Sequence, residues 1–302
     1  MRLPGTDVDV FPLSFGTADL GSRGDDAFQL LDTYAEAGGN FIDSAHCYAF
    51  WAGQEGRPER TIGEWLRKTG VRDRIVLSTK GGHPPLKGYP HAKDFLSPAA
   101  VQGDLEESHE RLGVDVIDLY YLHRDDGITP VAEIVDMLNA LPGVRYLGAS
   151  NWSVARVLEA NAYAAQSGQR GFIALQNQWS LAIPTWEVTA DPTIRFVTRE
   201  DFEACTDAGL TLHPYSSTAN GYFAGRTENA FGTETNQILR QKTVELANRL
   251  NKTPTQIALA WLLSQPGSVV PIVGTTSADH LKEALGAVDL DLDDLSRSAL
   301  TP

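Results

Sequence analysis

Four side chains able to take part in proton transfer stand where three consecutive apolar runs end. Asp43 closes the run Asn40–Asp43, and Tyr48 lies five residues further on; Lys80 follows Ile75–Thr79; His123 follows Val116–Leu122. A lysine at the end of an apolar strand must find a partner for its charge near the core, and Asp43 on the neighbouring strand is a sterically plausible one. A phenol of pKa ~10 is a poor acid at neutral pH, and a nearby ammonium favours its phenolate. Such a set can pass a proton to or from a reacting group. Each residue also has a plain structural reading. Asp43 before Ser44 suits a turn or helix cap, a tyrosine after a strand suits packing, and a histidine at a strand end is commonly a satisfied structural residue. Four together on three consecutive strands are the rarer coincidence.

The elements that must position them read as alternating strands and helices. Strands are expected at Pro12–Gly16, Asn40–Asp43, Ile75–Thr79, Val116–Leu122, Val144–Gly148, Ile173–Leu175, Leu210–His213 and Val269–Ile272. Helical patterns fall at Asp25–Ala37, Glu59–Lys68, Pro98–Leu112, Pro130–Leu141, Val154–Gln166, Arg199–Asp207 and Thr235–Leu250, with an extra helix at Pro254–Ser264 and a last one at Ala278–Ala287. Leu105, Ser108 and Leu112 recur at helical spacing on one face, and Ser97-Pro98 sets a cap residue before a proline at the first helical position. Met1–Val10, with its Pro4-Gly5 pair, reads as a hairpin ahead of the main fold. Eight strand–helix repeats predict an α/β fold, a (β/α)8 TIM barrel with a short N-terminal β-hairpin, in a single domain over residues 1–302. An open doubly wound sheet is the structural alternative. Against it, the first strand–helix turn, Phe15-Gly16-Thr17-Ala18-Asp19-Leu20-Gly21, lacks GxGxxG, and no GxxxxGK[ST] loop is present.

Charge and composition exclude several classes. The formal net charge of −14 argues against general nucleic-acid binding, which needs clustered cations. No apolar run approaches the ~20 residues of a bilayer span. The two cysteines, Cys47 and Cys205, form no CxxC pair and suit a reducing compartment. Met1–Val10 lacks the pattern of a signal peptide, so the expected location is cytoplasmic.

The sequence resembles the aldo-keto reductase family over nearly its whole length. Asn40-Phe41-Ile42-Asp43-Ser44-Ala45 followed by Tyr48 is similar to that family's strand-2 signature. Leu105-Glu106-Glu107-Ser108 with Arg111-Leu112, then Val116-Ile117-Asp118-Leu119-Tyr120, resembles its helix-3 and strand-4 signature, ending in His123. Gly148-Ala149-Ser150-Asn151 resembles its Gly-x-Ser-Asn. The resemblance implies a catalytic tetrad of Asp43, Tyr48, Lys80 and His123, and reduction of a small-molecule carbonyl by hydride from a nicotinamide. Tyr48 would then act as general acid, with Lys80 lowering its pKa, Asp43 balancing Lys80, and His123 orienting the carbonyl oxygen.

The resemblance also implies the cofactor positions: Gly16 and Thr17 after the first strand; Ser150, Asn151 and Gln176 at the nicotinamide carboxamide; Tyr215 stacked on the ring; and the amides of Ser216, Ser217 and Thr218 at the pyrophosphate. Gly274, Thr275, Thr276, Ser277, His280 and Glu283 fall at the adenosine end. It favours NADP(H). The chain departs from the family at Ser217 and Thr218, where proline and leucine are usual. It also lacks the cation common around Gly274–Thr276, carries His280 where Arg, Gln or Asn is frequent, and has Ala284 for an asparagine. With no cation between Gly274 and Asp279, NAD(H) is expected to be accepted as well. Ser277 also reads simply as a helix cap, and Ser150, Asn151 and Gln176 as ordinary loop hydrogen bonding. Trp51, Trp152, Trp179 and Trp186 follow strands 2, 5 and 6, as a wall for a sugar-like carbonyl or as packing under loops. A non-catalytic cofactor-sensing subunit of the same fold is the alternative function. A metal-dependent hydrolase using His46, His83, His123 and His213 lacks the clustered carboxylates such a site needs, so no metal is expected.

Overall fold

The computed structural model describes residues 1–21, 26–185, 191, 193–226 and 231–301. Strands β1 (Ser14–Gly16), β2 (Phe41–Asp43), β3 (Val76–Gly81), β4 (Ile117–Leu122), β5 (Val144–Ser150), β6 (Phe172–Gln176) and β7 (Thr211–Leu212) pair in chain order, each parallel to the next. The eighth barrel position is made by two short pieces. β8 (Ser268–Val269) pairs with β7, and β9 (Ile272–Gly274) pairs with β1. Pro271, between them, has no N–H to give a ladder. Its carbonyl accepts from the Ser14 amide, while the Val270 and Ile272 amides donate to Leu212 and Pro214. The expected single strand Val269–Ile272 is therefore split, and the sheet still curls round to meet itself.

Ten helices are described: α1 (Ala27–Glu36), α2 (Arg57–Thr69), α3 (Pro98–Leu112), α4 (Val131–Ala140), α5 (Val154–Gln166), α6 (Arg199–Asp207), α7 (Glu234–Leu250), α8 (Pro254–Leu263), α9 (Ala278–Leu285) and α10 (Asp294–Leu300). The periodicity of α3 buries Val101, Leu105, Ser108 and Leu112, and Ser97 caps it by accepting from the Ala100 amide. Thr253 and Gln256 form a reciprocal capping box ahead of α8, with Pro254 in its first turn. α10 has no counterpart among the expected elements, although Asp293 accepts from Ser296 as its cap. The expected start of the first helix at Asp25 lies outside the described residues, as does Trp186.

The hairpin forms with a single antiparallel bridge, Arg2 to Asp9, turning at Gly5 with φ of 71°. Its Leu3, Val8 and Val10 are buried against Phe41, Leu119, Tyr121, Ala174 and Val270. It thus plugs the end of the barrel where strands begin and leaves the opposite rim for the site. Gly148 shows how tight the barrel wall is: a Cβ there would lie 2.4 Å from the Tyr121 ring. Among the described residues no helix is long and apolar enough to cross a membrane.

Candidate active site

The registers bring the four expected residues to one rim. Asp43 ends β2 level with Gly16 and Ser78, and Lys80 lies on β3 beside Tyr121 of β4. Lys80 has no exposed surface; its Nζ donates to Asp43 Oδ2 at 2.7 Å, to the Ser44 carbonyl at 2.6 Å and to the Tyr48 hydroxyl at 3.1 Å. Three acceptors around one ammonium satisfy its donors and answer the cost of burying it. The other oxygen of Asp43 accepts from Ser78 Oγ (2.8 Å) and Gln176 Nε2 (3.0 Å). Ser78 was not expected in the site; its place two residues before Lys80 is the only sequence signal it carries.

Burial and charge compete at Tyr48. Burial raises its pKa more than the Lys80 ammonium lowers it, so the net shift is upward, against the lowering expected from sequence. Tyr48 therefore stays protonated through neutral pH, while the Lys80 ammonium on its own favours the phenolate form. Burial alone would lower the pKa of Lys80, but Asp43 and Tyr48 outweigh it and keep the ammonium charged. His123 is pushed well below the usual histidine range, by burial first and then by Arg124, His83 and Lys80. It is neutral, with its ring 6.0 Å from that of Tyr48 and its Nδ1 3.5 Å from Cys47 Sγ. The loop carrying Tyr48 is pinned from behind. Arg111 donates to the His46 carbonyl and pairs with Glu55, Glu59 and Glu107. Glu59 in turn accepts from Thr79.

The expected cofactor positions line the same rim, with differences in detail. Gly16 pairs with both Asp43 and Gly274, and Thr17 Oγ1 donates to the Asp43 carbonyl. Ser150 donates to the Gln176 carbonyl. Asn151, at φ of 60°, uses all four of its side-chain bonds: its Nδ2 donates to Ser150 Oγ and the His123 carbonyl, and its Oδ1 accepts from Tyr215 and the Arg195 amide. Gln176 Nε2 is held by Asp43 and His213. The Ser217 hydroxyl turns inward to the Ile272 carbonyl, and Ser277 caps α9 while its amide donates to Thr275 Oγ1. Thr276, His280 and Lys282 are exposed, and Glu283 is half-buried.

A nicotinamide dinucleotide fits this rim on one structural count. Ser216 takes a left-handed conformation, φ 52°, followed by Ser217 and Thr218, and among the described residues none of these three amides donates to a backbone carbonyl. Free amides in such a turn make a concavity suited to an anion.

The aromatic wall differs from expectation. Trp152 is fully buried, packed on Phe172 and under Arg156, so it belongs to the core and offers no face to a ligand. Trp179 is tied between Phe202 and Trp261. Trp51 does face the site, 48% exposed, beside Tyr48 and Phe50, with its Nε1 donating to Asp19. The four histidines weighed as metal ligands do not meet at one point, although His83 and His123 lie together with ring centroids 4.7 Å apart. His213 stacks on Phe41, while Tyr121 bonds its Nδ1, and His46 is bound to Tyr89 and Glu107.

Burial lowers the pKa of His83 and of His213 to about 4. Folded, both stay neutral; unfolded, they take up a proton below ~6.5. The unfolded state therefore binds more protons between those values, and stability falls as pH drops from about 6.5 toward 4. At pH 5 the loss is roughly 2 kcal/mol for each histidine, from about 1.4 kcal/mol per pH unit. Urea unfolding at pH 7.5 and pH 5.0 is expected to show a lower midpoint at pH 5.0; equal midpoints would show that both histidines are protonated in the fold.

A nearly closed parallel barrel with a tyrosine, lysine, aspartate and histidine at its C-terminal rim defines a barrel oxidoreductase. The Aldo/keto reductase family description matches residues 12–301, and the chain belongs to that family. It is 31% identical to norsolorinic acid reductase A of Aspergillus parasiticus, over 96% of this chain and 76% of that protein. It is 31% identical to an aryl-alcohol dehydrogenase of Pestalotiopsis microspora, over 96% and 77%. An uncharacterized oxidoreductase of Bacillus subtilis, YrpG, is 30% identical over 95% and 90%. The chain is thus an oxidoreductase of an NAD(P)H-dependent carbonyl-reducing family, for which NADP(H) is plausible by family resemblance.

Proposed function

We propose that the chain reduces aldehydes or ketones with Tyr48 as the general acid. The observation that carries this reading is the Tyr48 hydroxyl, 3.1 Å from an ammonium locked to Asp43. The nicotinamide, when bound, supplies the hydride. Tyr48 donates its proton to the carbonyl oxygen, and Lys80 stabilises the phenolate left behind. Neutral His123 donates a second hydrogen bond to the same oxygen. A donor aimed at a developing oxyanion is worth about 3–4 kcal/mol. Gly16, Thr17, Ser150, Asn151, Gln176 and the ring of Tyr215 would hold the nicotinamide, and the amides of Ser216, Ser217 and Thr218 the pyrophosphate. Gly274, Thr275, Thr276, Ser277, His280 and Glu283 would hold the adenosine. Cys47 and Cys205, both free and buried, support a reducing, cytoplasmic setting for residues 1–302 acting as one catalytic unit.

The sugar-like substrate loses its main support, because Trp152 and Trp179 are occupied in packing. The Tyr48 ring contacts those of Trp51 and His123, which Phe50 and His83 join into one connected group of rings. Flat rings favour a planar partner, and one relative is named for aryl alcohols. The substrate is therefore an aromatic aldehyde or ketone. A panel of benzaldehydes, aryl ketones and keto-sugars assayed with NADPH tests this; faster turnover of keto-sugars overturns it.

Cofactor choice is expected to be loose. Near the 2′-phosphate position the hydroxyls of Thr275 and Ser277 are engaged locally, and Asp279 adds negative charge. Loss of one charge-assisted contact costs about 1.5–3 kcal/mol, roughly ten- to a hundredfold. NADPH is expected to be preferred over NADH by less than about a hundredfold in kcat/KM at one ionic strength. A preference above about a thousandfold would place a cation such as Lys282 or Arg226 on the phosphate.

A further inference from the structure

Cys47, His83 and His123 follow β2, β3 and β4, and their side chains converge beside Tyr48. All three are buried, and one donor atom from each lies within 4.8 Å of the other two. Cys47 Sγ and His123 Nδ1 are 3.5 Å apart. Tetrahedral zinc, with bonds of about 2.3 Å to sulfur and 2.0 Å to nitrogen, separates those two atoms by about 3.5 Å.

The protonation pattern suits a cation. His83 Nδ1 lies 2.8 Å from the Pro84 carbonyl. A carbonyl only accepts, so Nδ1 carries the ring proton and Nε2 of the neutral imidazole keeps its lone pair. A histidine that donates its far nitrogen to a carbonyl is the usual outer support of a metal ligand. A thiol with two imidazoles selects a soft or borderline ion. Three protein ligands also leave a fourth position open.

We propose that Cys47, His83 and His123 form a zinc-binding site that shuts off carbonyl reduction. On binding, the thiol loses its proton to solvent and a sulfur–zinc bond forms. His123 Nδ1 and His83 then complete three ligands, and no electron is transferred. Ligation fixes the His123 ring, and the added divalent charge lies close enough to the Lys80 ammonium, which already acts on Cys47 and His123, to disfavour the arrangement at Tyr48 that reduction needs. The inhibitory part rests on the role proposed above for His123; the binding part does not. The second donor group, His46 with Glu55 and Glu107, is less suited, because Arg111 already holds both carboxylates.

Cobalt(II) added to the full-length protein is the probe, since a thiolate ligand gives a near-ultraviolet charge-transfer band whether or not the enzyme turns over. One equivalent is expected to bind with that band, and zinc is expected to displace it. Cys47→Ala should abolish the band, and Cys205→Ala should leave it. His83→Gln keeps the thiol and should weaken binding by about tenfold or more, since even outer-shell changes cost 10–100-fold. In parallel, zinc should inhibit aldehyde reduction at the concentrations at which it displaces cobalt. No band at saturating cobalt, or a band that survives Cys47→Ala, overturns the site. Binding without inhibition overturns its link to the reaction.

Discussion

Replacing Tyr48 by phenylalanine is expected to lower turnover by at least about a hundredfold while leaving cofactor affinity nearly unchanged. The substitution removes one oxygen and little volume. That oxygen carries the proton to be donated and accepts a hydrogen bond from the Lys80 ammonium at 3.1 Å. General acid catalysis is typically worth ~10²–10⁴ in rate. Steady-state kinetics on an aromatic aldehyde, with a fluorescence titration of NADPH, separates the two effects. Turnover within tenfold of the parent would remove Tyr48 from the mechanism; a lost NADPH affinity with unchanged turnover would make it a binding residue.

Lys80→Met is expected to damage both stability and rate. Lys80 and Asp43 are almost wholly buried and 2.7 Å apart. Removing the cation leaves a buried carboxylate that, among the described residues, accepts side-chain hydrogen bonds from Ser78 and Gln176 alone. Breaking one side of a buried ion pair costs about 3–5 kcal/mol. Turnover should fall with it, because nothing then stabilises the phenolate of Tyr48. The double variant Asp43→Asn with Lys80→Met distinguishes the two roles. It removes the uncompensated charge, so urea stability should recover at least in part, while turnover stays low. If turnover recovers along with stability, Lys80 serves the fold and not the proton transfer.

The barrel and its four rim residues were legible from the chain because both depend on local pattern. Apolar runs of strand length alternate with capped helical stretches, and strand ends in such a barrel share one rim. Asp43, Lys80 and His123 end successive strands and therefore had to meet. The N-terminal plug was legible as a hairpin, though only one bridge of it forms. α10 was missed, and the eighth strand was read as one piece, because a seven-residue helix gives too little periodicity and the break depends on the partners of Pro271 on both sides.

What the sequence by itself determined, then, is which titratable side chains share the rim. Which force wins at each group is a property of the tertiary structure alone. The upward net shift at Tyr48 arises because burial outweighs Lys80. Burial is summed over every neighbour in space, and sequence spacing carries none of it. The same holds for Trp152, which follows a rim strand yet is covered by Phe172 and Arg156. It holds again for Asn151, whose four bonds come from residues as far along the chain as Tyr215. Only the folded chain brings Cys47 to 3.5 Å from His123 with His83 beside them, because side-chain direction at a strand end is set by packing against the neighbouring strands.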